Sequence, residues 1–282
     1  MPRPLKIRRR LHRGFILLTV LWMALGLLLA ASSFLASHRQ EALAIRAEVE
    51  LGRAVALARS AVNVALADLG RVDENSYKSP RDGTPVTINM AEGSATYRIW
   101  DEGGKLDINA APVQLLLPAL RMVGEGGGLD AFDAASIAQA IIARRSGDRG
   151  PIEAASVSTV LARLGVPEAQ SRNAREVLTT FNGDAQINPR TAPEQLLAVI
   201  PGVGPSDVSE ILIRRREGRG MPRLGSAASW LNGVEGPVYT INAMARLTGG
   251  ATADMTVTVA ARGIGFRGGR MEYDILDVQI LR

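Results

Sequence analysis

His12-Arg13-Gly14-Phe15-Ile16-Leu17-Leu18-Thr19-Val20-Leu21-Trp22 joins a basic leader to an apolar run, and the length of that run decides the architecture. From Gly14 to Ser37 no residue is charged, and Phe15 to Phe34 is almost continuously apolar. About 20 such residues in a helix span about 30 Å of hydrocarbon. Arg3, Lys6, Arg8, Arg9, Arg10 and Arg13 precede the run with no acidic residue among them. These cations hold the amino end in the cytoplasm and send the chain after His38 outward. A cleaved secretory signal is the competing reading, with Ala30, Ala31, Ser32 and Ser33 as its small residues. Signal cores, however, run to only about 7–15 apolar residues.

Around this segment the composition sets limits. The 282 residues are 46% hydrophobic and 22% charged, which excludes wholesale disorder and leaves room for one or two domains with a sizeable core. One apolar run is too little for a polytopic membrane protein. The absence of cysteine excludes a disulfide framework, Cys-ligated metals and a thiol nucleophile. The two histidines, His12 and His38, flank the apolar segment, which argues against a His-based triad or a multi-His metal site. Six of the 33 Lys+Arg lie in the leader; the remaining 27 face 28 Asp+Glu, a net charge of −1. The basic pI thus belongs to the leader, and no global field for nucleic acid is present.

The helical pattern continues past the apolar run. Leu51, Val55, Val62, Leu66 and Leu69 recur at helical spacing, alanines fill the gaps, and no proline intervenes between Pro4 and Pro80. One helix over Phe15–Leu69 is expected, with this stripe as its core face. Short strands follow at Val86–Met90 and Ala95–Trp100 around Glu92-Gly93, and three more are expected at Tyr239–Leu247, Met255–Arg262 and Arg270–Ile280. The last shows a clear alternation. The intervening residues, about 105–235, have a helical, turn-rich texture. The order predicts an α+β fold: a long N-terminal helix packed on an antiparallel sheet, with a large all-α domain inserted between strands.

The insert contains an internal repeat. Ile108-Asn109-Ala110-Ala111-Pro112 with Leu115-Leu116 matches Ile187-Asn188 and Thr191-Ala192-Pro193 with Leu196-Leu197 across a two-residue gap. Each copy leads to a helix ending in a basic turn, Ala143-Arg144-Arg145-Ser146-Gly147 and Arg214-Arg215-Arg216-Glu217-Gly218. Pro opens a helix, Leu pairs face inward, and the final cations complement the helix dipole before Gly.

Four motifs bear on function. Ile200-Pro201-Gly202-Val203-Gly204-Pro205 resembles the hairpin of helix–hairpin–helix DNA-binding modules, and the plainer reading is a tight interhelical turn. Gly263-Ile264-Gly265-Phe266-Arg267-Gly268 matches G-x-G-x-x-G by letter but leads into a strand, so a flexible hairpin turn is expected. Asp101, Glu102 and Asp107 offer oxygens of the kind calcium takes, against the plainer expectation that solvent covers these carboxylates beside Gly103-Gly104. No other cofactor is expected. No pairing of nucleophile and base argues for catalysis.

The leader ending in Gly14, followed by Phe15 and the apolar run, resembles a type IV prepilin junction. Asp101-Glu102-Gly103-Gly104-Lys105-Leu106-Asp107-Ile108-Asn109-Ala110-Ala111-Pro112 resembles the D-E-x-G-K-x-x-x-N-x-A-P segment that opens the inserted domain of the type II secretion system protein K family. Thr19 adds to the likeness: most pilin-like proteins carry Glu there, and protein K usually lacks it. With the later N-x-x-T-A-P the resemblance covers nearly the whole chain.

The resemblance implies a pilin-like fold with a helix–hairpin–helix, SAM-like repeat in the insert. Its divisions fall at a basic leader 1–14, a transmembrane helix 15–37, a periplasmic helix with the first strands 38–104, the inserted α domain 105–235 and the closing strands 236–282. It also implies cleavage by prepilin peptidase between Gly14 and Phe15, N-methylation of Phe15, and an assembly role for Thr19. The implied product is a non-enzymatic minor pseudopilin at the tip of the type II secretion pseudopilus. Its implied partners are pseudopilins I, J and H, the inner-membrane assembly platform and the membrane itself, with no nucleic acid. The chain would cross the bacterial inner membrane once, leaving its carboxyl-terminal domain in the periplasm. A membrane-tethered DNA-binding module using Gly202-Val203-Gly204 is the alternative, and a periplasmic enzyme with a conventional signal peptide is a third reading.

Overall fold

The computed structural model describes residues 11–71, 79–125, 131–147, 150–152, 157–264 and 271–281. The chain divides into two compact units, Met1–Gly52 and Arg53–Arg282. One helix, α1 (Leu11–Leu69), supplies all the described structure of the first unit and opens the second. It begins four residues before the expected Phe15. From Phe15 to Phe34 its apolar side chains are exposed on every side, Leu17 at 76% and Trp22 at 66%. A helix apolar all round has no single stripe to bury against one neighbour. Phe15–Leu69 is long and apolar enough to cross a membrane.

The second unit contains a five-stranded antiparallel sheet. Its strands are β1 (Val86–Met90), β2 (Gly93–Asp101), β5 (Val238–Leu247), β6 (Thr252–Ile264) and β7 (Met271–Leu281), side by side in that order. All five follow the sequence pattern within a few residues. Residues 53–69 of α1 cover one face. The expected stripe needs correction: Val62 and Leu69 are buried, but Leu51, Val55 and Leu66 are only half-buried. The innermost row is Ala54, Ala58, Ala61 and Ala65, each fully buried, with Leu57 beside it. Large residues on the sheet, among them Tyr97, Ile99, Ile241 and Met255, fill the interface. Small helix residues let the backbone approach them.

The alternation expected in β7 is broken. Val278 and Ile280 oppose Val257 and Met255, but a register shift then places Ile275 opposite Val259 and Tyr273 opposite Ala261. Leu276 is the extra residue of the bulge. Beyond it the helix-side positions change parity.

Between β2 and β5 lie the helices α2 (Val113–Glu125), α3 (Ala131–Ser146), α4 (Val157–Arg163), α5 (Glu168–Asn173), α6 (Glu194–Ala198) and α7 (Pro205–Arg216). Two short strands, β3 (Leu106–Asp107) and β4 (Leu178–Thr179), pair in parallel among them. Sequence reading did not find these, because two-residue strands carry no periodicity. The helices enclose their own core, in which Leu116, Leu120, Ile141, Leu161, Leu196, Leu197 and Ile211 are buried. Each such side chain contributes about 1.5–3 kcal/mol of burial. The excursion leaves and rejoins the sheet at one corner, since Asp101 at the end of β2 is paired with Tyr239 at the start of β5.

Candidate functional site

At the amino end of α1, Gly14 lies in the helix and its surroundings fall outside the described residues. Phe15 is 69% exposed. Thr19, one turn on, donates its hydroxyl to Phe15 O at 2.8 Å and Ile16 O at 3.0 Å. The structure therefore brings Thr19 and Phe15 together through the backbone. A threonine so bonded has no unmet polar group to present to an apolar medium.

The Asp101–Pro112 segment is not a solvated acidic turn. Asp101, Glu102 and Asp107 are 1%, 2% and 0% exposed, so the expectation of solvent cover is wrong. Asp101 Oδ1 accepts the amides of Gly103 at 3.0 Å and Gly236 at 3.1 Å. Its Oδ2 accepts Asn188 Nδ2 at 2.9 Å and the Thr191 hydroxyl at 2.8 Å. One carboxylate thus ties the end of β2, the start of β5 and the second repeat together. Glu102 is paired with Lys105 at 2.6 Å, both buried, and also accepts the Thr179 hydroxyl. Asp107 accepts the amides of Asn109 at 2.7 Å and Gly183 at 2.6 Å. Burial raises its pKa above the usual carboxylate value, partly offset by those amides. These donors occupy the oxygens that a calcium ion would need. Among the described residues no three acidic or histidine side chains are grouped to hold a metal.

The repeat is visible in the backbone. Pro112 O accepts the amides of Leu115 and Leu116 at 3.0 Å each, and Pro193 O accepts those of Leu196 and Leu197 at 3.0 and 3.1 Å. The basic turns do more than complement a dipole. Arg145 donates to Ile108 O at 2.8 Å, while Arg215 donates to Pro189 O at 2.7 Å and Ala192 O at 2.6 Å. Each copy's last helix reaches back to clamp the turn that opened it.

The Ile200–Pro205 hairpin is occupied by its own chain. Val203 N donates to Ile200 O at 3.1 Å, and Gly204 N to Asp207 Oδ2 at 2.9 Å. Gly202 has φ +86°, and a Cβ there would meet Ser226 Oγ at 2.7 Å. Two of the amides that a phosphate would need are taken, one of them by a carboxylate. Of the Gly263–Gly268 motif, residues 265–268 lie outside the described residues; the motif falls between the antiparallel strands β6 and β7.

Sequence reading missed a cleft of about 300 Å³ where Arg81, Arg190, Arg214, Arg215 and Arg219 converge with Glu235. Arg81 is ion-paired with Glu235 and its guanidinium lies 5.3 Å from the Tyr239 ring centre. Burial pulls the Arg81 pKa down, but Glu235, Tyr239 and Asp101 together outweigh it and the net shift is upward. Burial pushes the Tyr239 hydroxyl up to about 12 and the Arg215 guanidinium down to about 10. The arginines are spread over more than 130 positions of sequence, so only Arg214-Arg215-Arg216 stood out.

No protein-family model and no curated protein matches this chain. Among solved structures it is similar to a chain in the crystal structure of the GspK-GspI-GspJ complex from the enterotoxigenic Escherichia coli type 2 secretion system. The TM-score is 0.53 at 14% identity, over 84% of this chain and 99% of that one. The likeness is one of fold. With its long apolar N-terminal helix, antiparallel sheet and helices between β2 and β5, this chain has a GspK-like fold.

Proposed function

We propose that this chain is a minor pseudopilin of a type II secretion system, placed at the tip of the pseudopilus, where it initiates or caps assembly for export of folded proteins across the outer membrane. The observation that carries the reading is the shared fold over 99% of a chain from the GspK-GspI-GspJ complex. An apolar helix exposed on every side, followed by a sheet and a helical insert, is also the form that a stacking subunit with a bulky head requires. Prepilin peptidase cleaves between Gly14 and Phe15 and the new Phe15 amine is methylated, which leaves the span 15–37 in the inner membrane and the rest of the chain in the periplasm. Thr19 supplies no carboxylate to attract a second subunit's amino terminus from above, which suits a terminal position. Pseudopilins I, J and H and the inner-membrane platform are the partners. The insert, residues 105–235, is the head and 236–282 closes the pilin-like half begun by 38–104. Its role is structural rather than catalytic.

The DNA-binding alternative is disfavoured by the hairpin, whose Val203 and Gly204 amides are already satisfied. The decisive measurement is the mass of the mature amino terminus, made on protein from cells with the prepilin peptidase. An N-methylated Phe15 is expected. A chain starting near Ser32 or Ser37 sinks the reading. Titration of the full chain in detergent against the I–J complex and against duplex DNA at several salt concentrations separates the two hypotheses. Stable I–J association without DNA binding is expected, whereas salt-sensitive micromolar DNA binding lost on replacing Gly202 and Gly204 refutes it.

A further inference from the structure

The arginine cleft is built from parts of the chain far apart in sequence. Arg81 comes from the segment before β1, Arg190 from the turn after Asn188, Arg214 and Arg215 from the end of α7, and Arg219 from just beyond it. Bringing five guanidinium groups to one concave surface costs Coulomb repulsion. The protein offsets only part of that cost. Glu235 is paired with Arg81, Glu210 with Arg214, and Glu217 with Arg219. Among the described residues neither Arg190 nor Arg215 is ion-paired. Arg215 spends Nε and Nη2 on two backbone carbonyls. Its charge is held in a partly desolvated place, and burial lowers its pKa to about 10 although Asp82 and Glu194 offset part of that shift.

Outside the leader the chain carries a net charge of −1, so this positive surface is local and not an overflow of general basicity. Guanidinium forks match planar oxyanions bidentately. A space of about 300 Å³ admits one or two acidic side chains. Glu235, Met221 and Thr191 also line the cleft. That mixture suits singly charged carboxylates on a peptide, with apolar contact beside them, better than the denser charge of phosphate.

We propose that this cleft is a docking site for an acidic segment of a partner protein, whose Asp or Glu carboxylates engage Arg190 and Arg215. The inference does not rest on the secretion reading. It is tested with the full chain in non-ionic detergent, a fluorescent tetra-glutamate peptide, and a tetra-glutamine peptide of the same length as control. The glutamate peptide is expected to bind and the glutamine peptide is not. Arg190→Gln should weaken binding about tenfold, the energy of one charge-assisted contact, and Arg219→Gln, whose charge is already paired with Glu217, should weaken it less. Arg190→Lys should recover part of the loss. Arg246→Gln, on β5 outside the cleft, should bind as the parent does. The thermal midpoint of Arg190→Gln should stay at the parent value, since Arg190 is exposed and makes no ion pair.

Equal binding of the two peptides overturns the proposal. So does equal weakening by Arg246→Gln, which would mean diffuse attraction. Displacement of the glutamate peptide by inorganic phosphate at equal or lower concentration overturns the assignment to carboxylate.

Discussion

Replacing Asp101 should uncouple the helical excursion from the sheet. In Asp101→Ala four donors lose their acceptor: the amides of Gly103 and Gly236, the Asn188 amide group and the Thr191 hydroxyl. A buried donor left unsatisfied costs about 1–3 kcal/mol, but the four are not equivalent. The Thr191 hydroxyl can rotate, and water can reach Gly236, which is only partly buried. Gly103 and Asn188 are buried and fixed, so the expected loss is about 3 kcal/mol. Asp101→Asn separates the two oxygens. Its carbonyl retains both glycine amides, which share Oδ1, and its NH2 faces Thr191, which can turn to accept, and Asn188, which cannot. The expected cost is about 1 kcal/mol, one lost bond. The assay is urea unfolding of the full chain in detergent, followed by tryptophan fluorescence and circular dichroism. A loss below about 0.5 kcal/mol for Asp101→Ala, or equal losses for both variants, would falsify the hub.

The fully buried alanine row predicts that Ala61→Leu costs about 1–3 kcal/mol by overpacking, while Ala56→Leu on the exposed face of α1 stays within about 0.5 kcal/mol; equal denaturation midpoints for the two would overturn the corrected face. Thr19→Glu places a carboxylate near the start of the apolar run, where it is costly unless paired, so reduced membrane accumulation and reduced secretion are expected, and normal assembly counts against the proposed terminal placement. Asp107 has a raised folded pKa, so its own contribution to stability is complete below its unfolded value of 3.8 and is lost as pH rises through the folded value. The stability of the parent relative to Asp107→Asn should therefore grow as pH is lowered from neutrality towards the unfolded value, and a difference that shrinks instead would contradict the desolvation argument.

Much of the fold was legible because it repeats. Twenty uncharged residues, helical spacing to Leu69 and period-two strands are local signals, and they gave α1 and all five strands of the sheet. The core face of α1 was misread because Leu and Val were weighted by size. Packing against Tyr97, Ile99 and Met255 rewards a small residue, so the alanines went inside and Leu51, Val55 and Leu66 stayed at the margin. The parity of β7 was misread because a bulge at Leu276 depends on how β6 pairs with it, which the strand's own pattern does not record. The acidic turn was misread for a similar reason: nothing in Asp101-Glu102-Gly103-Gly104 shows that Asn188, Thr191 and Gly236 come to meet it.

The two repeat copies are built alike but tie different parts of the chain together. Both open with the same proline cap, and both are clamped by an arginine from their last helix. Their asparagines differ in what they hold. Asn109 exchanges two bonds with Ile152, accepting its amide and donating to its carbonyl, so the first copy is tied to a segment of the excursion itself. Asn188 donates to Asp101 at the end of β2, so the second copy is tied to the sheet. Because β2 and β5 remain paired in unbroken register from Gly93–Leu247 to Asp101–Tyr239, the excursion adds surface without interrupting the ladder. The second copy also places Arg190 and Arg215 in a cleft whose shape depends on Asp101, so a loss of the carboxylate hub should reach the arginine surface as well.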